Sequence, residues 1–227
     1  MSKIAAFAKA KQAMQPGYRM LAKGAAGEIW LYGVIGSDWF GDGVTAKQFA
    51  ADLRALGDVS TIDLRVNSDG GLVTDARAMW TLLVEHKAKI TTHIDGIAAS
   101  AASFVALAGD EIIIAEGGFI MIHNARGGCY GEAKDMRDAA LVLELVNGTM
   151  RDTYAARTKQ TTAQIEKWMN AETWFTGAEA VKYGFADRIV ENVRVAACVS
   201  SPERFKNLPA ALGRPRIAEA RALIASR

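Results

Sequence analysis

Short runs rich in β-branched and aromatic residues alternate with amphipathic or alanine-rich stretches along most of this chain, and that alternation narrows the possible architectures more than any other feature. EIWLYGVIG (28–36), STIDLRVN (60–67), KITTHIDG (89–96), EIIIAE (111–116) and GFIMIH (118–123) read as strands. Between them, VTAKQFAADLRALGD (44–58) places Phe49, Leu53 and Leu56 on one helical face, and LVTDARAMWTLLVEHKA (72–88) is a second helix. IAASAASFVALAG (97–109) begins a third, with Gly109 as its C-cap. A long helical pattern covers 132–158, and short helices follow at 162–170 and 176–184, separated by ETWF as a strand or turn. SDGG (68–71) reads as a sharp turn ending its strand. The pattern predicts an α/β fold with largely parallel pairing.

The body, 28–191, carries an acidic excess, whereas 1–27 holds five basic residues and no acid, and 192–227 holds seven basic and two acidic ones. The expected organisation is therefore a basic N-terminal arm (1–27), a folded body (28–191) and a basic C-terminal tail (192–227). The N-terminal arm reads as a short helix at 2–14 followed by a link rich in breakers (Pro16, Gly17, Gly24, Gly27). RFKNLPAALGRPR reads as loose tail before a terminal helix. The arms are either solvated ends or contacts for acidic neighbours in an assembly; no aromatic-interleaved basic motif favours specific nucleic-acid binding. No apolar run approaches the ~18 residues of a membrane span. Lys9 and Lys11 interrupt any signal-peptide core, so a soluble, non-secreted protein is expected. Cys129 and Cys198 have no metal-ligand spacing and are expected to be free thiols.

Three segments carry candidate chemistry. In HIDGIAASAASF a strand runs into a turn of small residues, and Ser100 stands where a helix begins, beside N–H groups that have no partner within the helix. A serine there is either an ordinary N-cap or a nucleophile with an oxyanion site beside it. Ser103, one turn further on, suits packing better than attack. In GGFIMIHNARGG, His123 ends an apolar strand and meets a glycine-rich loop, a suitable place for a base or for a structural histidine. His86 lies in a polar stretch, and His93 lies within a strand that offers no open loop. In RVNSDGGL, two glycines can expose backbone N–H groups, although no Gly-Lys-Ser/Thr follows to make a phosphate loop.

SDGG, GIAASAAS and MIHNARGG, in this order and spacing, closely resemble the motifs of the Clp protease proteolytic subunit family, and TGAEAVKYGFADRI resembles the family segment that follows its catalytic acid. The likeness runs from about Glu28 to Glu191. It implies a ClpP/crotonase-like fold of repeated β-β-α units with a protruding handle helix, and a serine peptidase with neither metal nor organic cofactor. Carried over, Ser100 is the nucleophile, His123 the base, and the Gly70 and Ala101 N–H groups the oxyanion donors. Gly71, Gly127 and Gly128 would bind substrate, with 127–131 receiving an extended peptide. Helix 133–158 resembles the handle and would pack subunit rings together, the alternative being a helix that packs within its own domain.

Two residues depart from the family pattern. Asp69 replaces a proline, and Glu172 stands where the family has its catalytic aspartate, with Asp187 as the reserve carboxylate. Glutamate is one methylene longer, so it must reach His123 from a displaced backbone or another rotamer. The segment from Gly36 to Gly71 and the tail RFKNLPAAL resemble the head maturation proteases of tailed phages, which implies capsid or scaffold proteins as substrates and a home in the bacterial or infected-host cytoplasm or the procapsid. The alternatives are a cellular degradative subunit working with an ATPase, an inactive scaffold relative, and an acyl-CoA enzyme of the crotonase kind, which the Ser–His pair disfavours.

Overall fold

The computed structural model describes residues 17–37, 43–190, 199 and 201–212. The elements are β1 (Tyr18–Lys23), β2 (Ala26–Ile35), α1 (Ala46–Ala55), β3 (Thr61–Gly71), α2 (Val73–Val84), β4 (Lys89–Ala99), α3 (Ala101–Ala106), β5 (Glu111–Ala115), β6 (Phe119–Ile122), α4 (Ala133–Thr158), α5 (Thr162–Asn170), β7 (Thr173–Thr176), α6 (Gly177–Lys182) and β8 (Arg188–Val190). Single 3-10 turns follow at Pro202–Arg204 and Ala210–Leu212.

The strands form one sheet in the order β1-β2-β3-β4-β5-β8, with β6 paired to β4 and β7 to β6. Pairing from β2 through β5 to β8 is parallel, as the alternation of strands and helices requires; the β1–β2 hairpin and the β6–β7 pair are antiparallel. The β-β-α unit is explicit at β1–β2–α1 and β5–β6–α4. Strand β4 changes partner along its length: Thr91–Ile94 pair with β5, and Ile97–Ala99 pair with β6. Both Ser100 and His123 stand just past the ends of paired strands at this fork.

Side chains alternate across the strands, so β4 feeds two apolar clusters. Ile90, Ile94 and Ala98 join the main core with Leu64, Val66, Phe49, Met79 and Phe104. Ile97 and Ala99 face the other way and meet Met121, Val199, Phe205 and Leu212. Segment 201–212, read from sequence as loose tail, is thus folded back onto the sheet. Its sequence does not name the partners, which lie on β3, on β4 and β6, and around Glu172.

Other differences from the sequence reading are local. The breaker-rich link contains strand β1, and Gly24 (φ 62°) supplies the hairpin turn rather than a break. SDGG does not end β3. The strand continues through Gly71, with a register shift against both neighbours. Gly109 is not a left-handed cap; a Cβ there would lie 2.5 Å from Thr92 Oγ1, so the position demands close approach. The expected helix at 2–14, the terminal helix and Cys198 lie outside the described residues, and Cys129 is exposed and free.

Helix α4 spans 26 residues, about 39 Å at 1.5 Å per residue. Only Met150, Tyr154 and Thr158 near its C-terminus are buried. Met136, Leu141, Val142 and Leu145 are exposed along the rest. Among the described residues, no helix is long and apolar enough to cross a membrane.

Candidate active site

Ser100 follows the last residue of β4 and adopts φ 55°, ψ −126°, outside the extended region that a capping serine occupies. Its side chain makes no cap bond to α3. Its N–H donates to Met121 O at 2.9 Å, and its Oγ lies 2.7 Å from His123 Nε2. Of the two readings of this serine, the N-cap is therefore excluded: the backbone is turned so that the hydroxyl meets an imidazole. Holding a non-glycine residue at positive φ costs on the order of 1–3 kcal/mol, and such residues persist where the surroundings over-determine them. Here Gly70 presses from one side. A Cβ on Gly70 would lie 2.7 Å from Ala99 O and 2.9 Å from both Ala101 N and Ser100 Cβ.

His123 ends β6 with its ring almost enclosed. Burial, with Arg126 and then Arg204 nearby, lowers its pKa from the usual 6.5 to about 4, against the opposing pull of Glu172. The imidazole is thus neutral at pH 7, able to take a proton at Nε2. Nδ1 has no hydrogen-bond partner among the described residues. Glu172 Oε2 faces it at 3.6 Å, an ion-pair distance rather than a hydrogen bond.

Glu172 is 4% exposed and has φ 49°, a left-handed backbone that a non-glycine residue adopts only when its surroundings hold it. Its carboxylate is shared. Oε2 takes the Arg126 guanidinium, and Oε1 accepts the Asn207 N–H at 2.8 Å. Neither partner is apparent from local sequence: Arg126 lies in an ordinary glycine-rich loop, and Asn207 lies in the tail. The apolar spacing of Phe205, Leu208 and Leu212 was the one available sign that the tail packs.

A cleft of about 270 Å³ opens onto the pair, lined by Gly71, Ser100, His123, Ala125, Arg126 and Phe205 among others. An apolar cavity of about 300 Å³ adjoins it, sharing Val73 and Met150 and adding Ala101 and Phe104. Gly127 and Gly128 lie just beyond the cleft's lining, Gly127 next to Leu143 of α4. The Gly70 N–H donates to Ser68 Oγ at 3.0 Å, whereas Ala101 is the first residue of α3, where N–H groups have no helical acceptor.

The remaining candidates are held elsewhere. Ser103 is buried, donating to Ser100 O at 2.7 Å and sharing a hydrogen bond with Tyr154 OH at 2.8 Å. His93 pairs with Asp63 at 3.0 Å, and His86 Nδ1 accepts the Ala88 N–H. Asp187, the reserve carboxylate, accepts the Ile112 N–H and the Arg157 guanidinium.

Comparison with known proteins gives the chain a family. The sequence profile described as Clp protease matches residues 38–193. The chain belongs to the Clp protease family. It is, accordingly, a serine endopeptidase by class. ATP-dependent Clp protease proteolytic subunit 1 of Mycobacterium tuberculosis is 32% identical over 136 residues, covering 59% of this chain and 68% of that protein. The corresponding subunit of Chlorella vulgaris is 29% identical over 131 residues, 57% of this chain and 65% of the other. Among solved structures, a point mutant of ClpP1 from Listeria monocytogenes superposes with a TM-score of 0.61 at 24% identity, over 71% of this chain and 89% of that one, a likeness of fold.

Proposed function

We propose that this Clp protease family member cleaves peptide bonds with Ser100 as nucleophile, His123 as general base and Glu172 as the carboxylate behind it. The observation that carries the reading is the 2.7 Å contact between Ser100 Oγ and His123 Nε2 on a strained turn at a helix start. As Oγ attacks the carbonyl carbon, His123 Nε2 takes its proton; the carbonyl oxygen becomes an oxyanion beside the Ala101 N–H. The Gly70 N–H joins it by exchanging its bond to Ser68 Oγ. His123 then protonates the leaving amine, and water, deprotonated by the same nitrogen, releases the acyl group. The adjoining cavity offers an apolar recess next to Ala101 for a substrate side chain. An extended peptide running past 127–131 would bring its backbone to the cleft. The chain's own residues supply every proton transfer, so the scheme invokes no cofactor.

The test is intact-mass detection of a fluorophosphonate adduct on the assembled protein. One adduct is expected; none would overturn the reading in favour of a structural relative. Because the base is neutral down to about pH 4, the labelling rate should fall as pH drops through about 4, not through the 6.5 of an ordinary histidine. A midpoint above 6 would show that His123 is not the enclosed base described above.

The exposed apolar residues of α4 support assembly of copies through this helix, with homo-oligomeric rings as the product. Val142→Lys with Leu145→Lys should lower the mass in analytical ultracentrifugation while leaving the circular dichroism spectrum unchanged. An unchanged mass would remove α4 from the interface.

The head maturation branch, with capsid or scaffold proteins as substrates in the cytoplasm or procapsid, is supported by the resemblance of 36–71 and the tail. It is also supported by the basic flanks around the acidic 28–191 body. The names of the curated relatives support the other branch, a degradative subunit serving an ATPase. Cleavage of capsid or scaffold protein with no ATPase present favours the first. Dependence on an ATP-driven unfoldase favours the second.

A further inference from the structure

We propose that Ser201–Asn207 is a positioning segment of the active site, in which the Asn207 backbone N–H fixes the Glu172 carboxylate in front of His123; this rests on the triad reading above. The two residues at which this chain departs from its family's motifs are the two that this segment grips. The Ser201 N–H donates to Asp69 Oδ2 at 3.1 Å, an acceptor a proline would not offer, and the Asn207 N–H donates to Glu172 Oε1 at 2.8 Å. Asn207 Nδ2 adds a bond to Ala171 O at 2.6 Å. Arg126 bridges the segment to the acid, donating to Arg204 O and to Glu172 Oε2.

The docking is core-like. Phe205 is 9% exposed, stacked edge-on against Trp174 at 5.3 Å and tilted over His123 at 6.4 Å. Val199 and Leu212, on either side, are fully buried on the face of β4 and β6 that carries Ile97, Ala99 and Met121. Residues that pack this way do not leave and return without exposing apolar surface to water.

The need for such a segment follows from the acid itself. Glutamate has one more rotatable bond than aspartate, so its carboxylate swings through a wider arc. At 4% exposure the carboxylate also requires donors to offset lost hydration. A backbone N–H is the stiffest donor available. It occupies Oε1 and so leaves Oε2 as the oxygen that faces Nδ1.

The experiment measures fluorophosphonate labelling rates of the full-length protein in a double-mutant cycle. Asn207→Pro removes the N–H, and Asn207→Ala keeps it while losing the Nδ2 bond. Asn207→Pro is expected to label about 10- to 100-fold more slowly, the worth of one hydrogen bond to a charged group, and Asn207→Ala within about 3-fold of wild type. In a Glu172→Gln background, where the charge is already gone, Asn207→Pro should add little. Asp69→Ala, which leaves the segment's own sequence untouched, should slow labelling less and lose its effect in the same background; it decides the matter if Asn207→Pro fails to fold. Equal slowing in both backgrounds would mean a structural role alone and would overturn the proposal. Faster labelling would overturn it too, marking the segment as an inhibitor. A wild-type protein that never labels would instead fail the triad reading beneath it.

Discussion

Ser100→Ala is expected to abolish the fluorophosphonate adduct and to lower peptide cleavage by about 10⁴-fold or more, the scale on which loss of a triad member is felt. The size of the effect follows from the absence of a substitute. The nearest serine, Ser103, is buried, with its hydroxyl committed to Ser100 O and Tyr154 OH. Moving that hydroxyl to the cleft would take from the buried Tyr154 OH its hydrogen-bond partner. The substitution should leave folding intact, because the side chain makes no cap bond and alanine meets the same positive φ. Thermal unfolding within about 1 kcal/mol of wild type, together with no adduct, is the expected pair of results. An adduct that persists on the variant would transfer the chemistry to another nucleophile and sink the assignment.

Gly70→Ala should be nearly as damaging by a different route. The added Cβ would lie 2.7 Å from Ala99 O and 2.9 Å from Ala101 N, backbone atoms that cannot swing aside as a side-chain end can. The φ of 93° is itself a left-handed value that alanine resists. Relief requires the Ser100 turn and the Gly70 strand to part, which separates the two N–H groups proposed to share one oxyanion. Loss of a single such donor costs on the order of 10²- to 10³-fold in rate, so a fall of about 10³-fold in labelling is expected, with destabilisation of about 2 kcal/mol or more. Gly148→Ala serves as the control. It lies within α4 with nothing within 4 Å of the new methyl, and should be neutral or mildly stabilising. Wild-type labelling by Gly70→Ala would show that the close approach is not needed for the chemistry.

The parts of this site that could be read in the sequence are those written in local chemistry. A serine set among Ala98, Ala99 and Ala101 and a histidine at the end of FIMI each carry their own signal, and their order and spacing carry more. The strand–helix alternation likewise gave the parallel sheet, because each unit announces itself within about a dozen residues. What escaped was non-local or geometric. Strand β1 was hidden by glycines that look like breakers but serve a hairpin. SDGG looked like a turn because two glycines after a strand permit positive φ; both adopt it, yet the strand carries on through them. Arg126 and Asn207, which divide the Glu172 carboxylate between them, meet only because the tail crosses the sheet. A sequence can suggest that a glutamate must be held differently from an aspartate without saying what holds it.

The hydrogen bond from Ser100 N to Met121 O has a mechanical meaning. It fastens the nucleophile's own backbone to the strand that ends in His123, next to the β4–β6 ladder of Ile97–Ala99 with Phe119–Met121. The serine and histidine of the proposed pair are therefore mounted on one ladder of paired strands. Glu172 stands outside that ladder and is held by the Arg126 guanidinium and by the Asn207 amide of a distant stretch of chain. A change that undocks that stretch should therefore act on the acid alone, leaving serine and histidine in register.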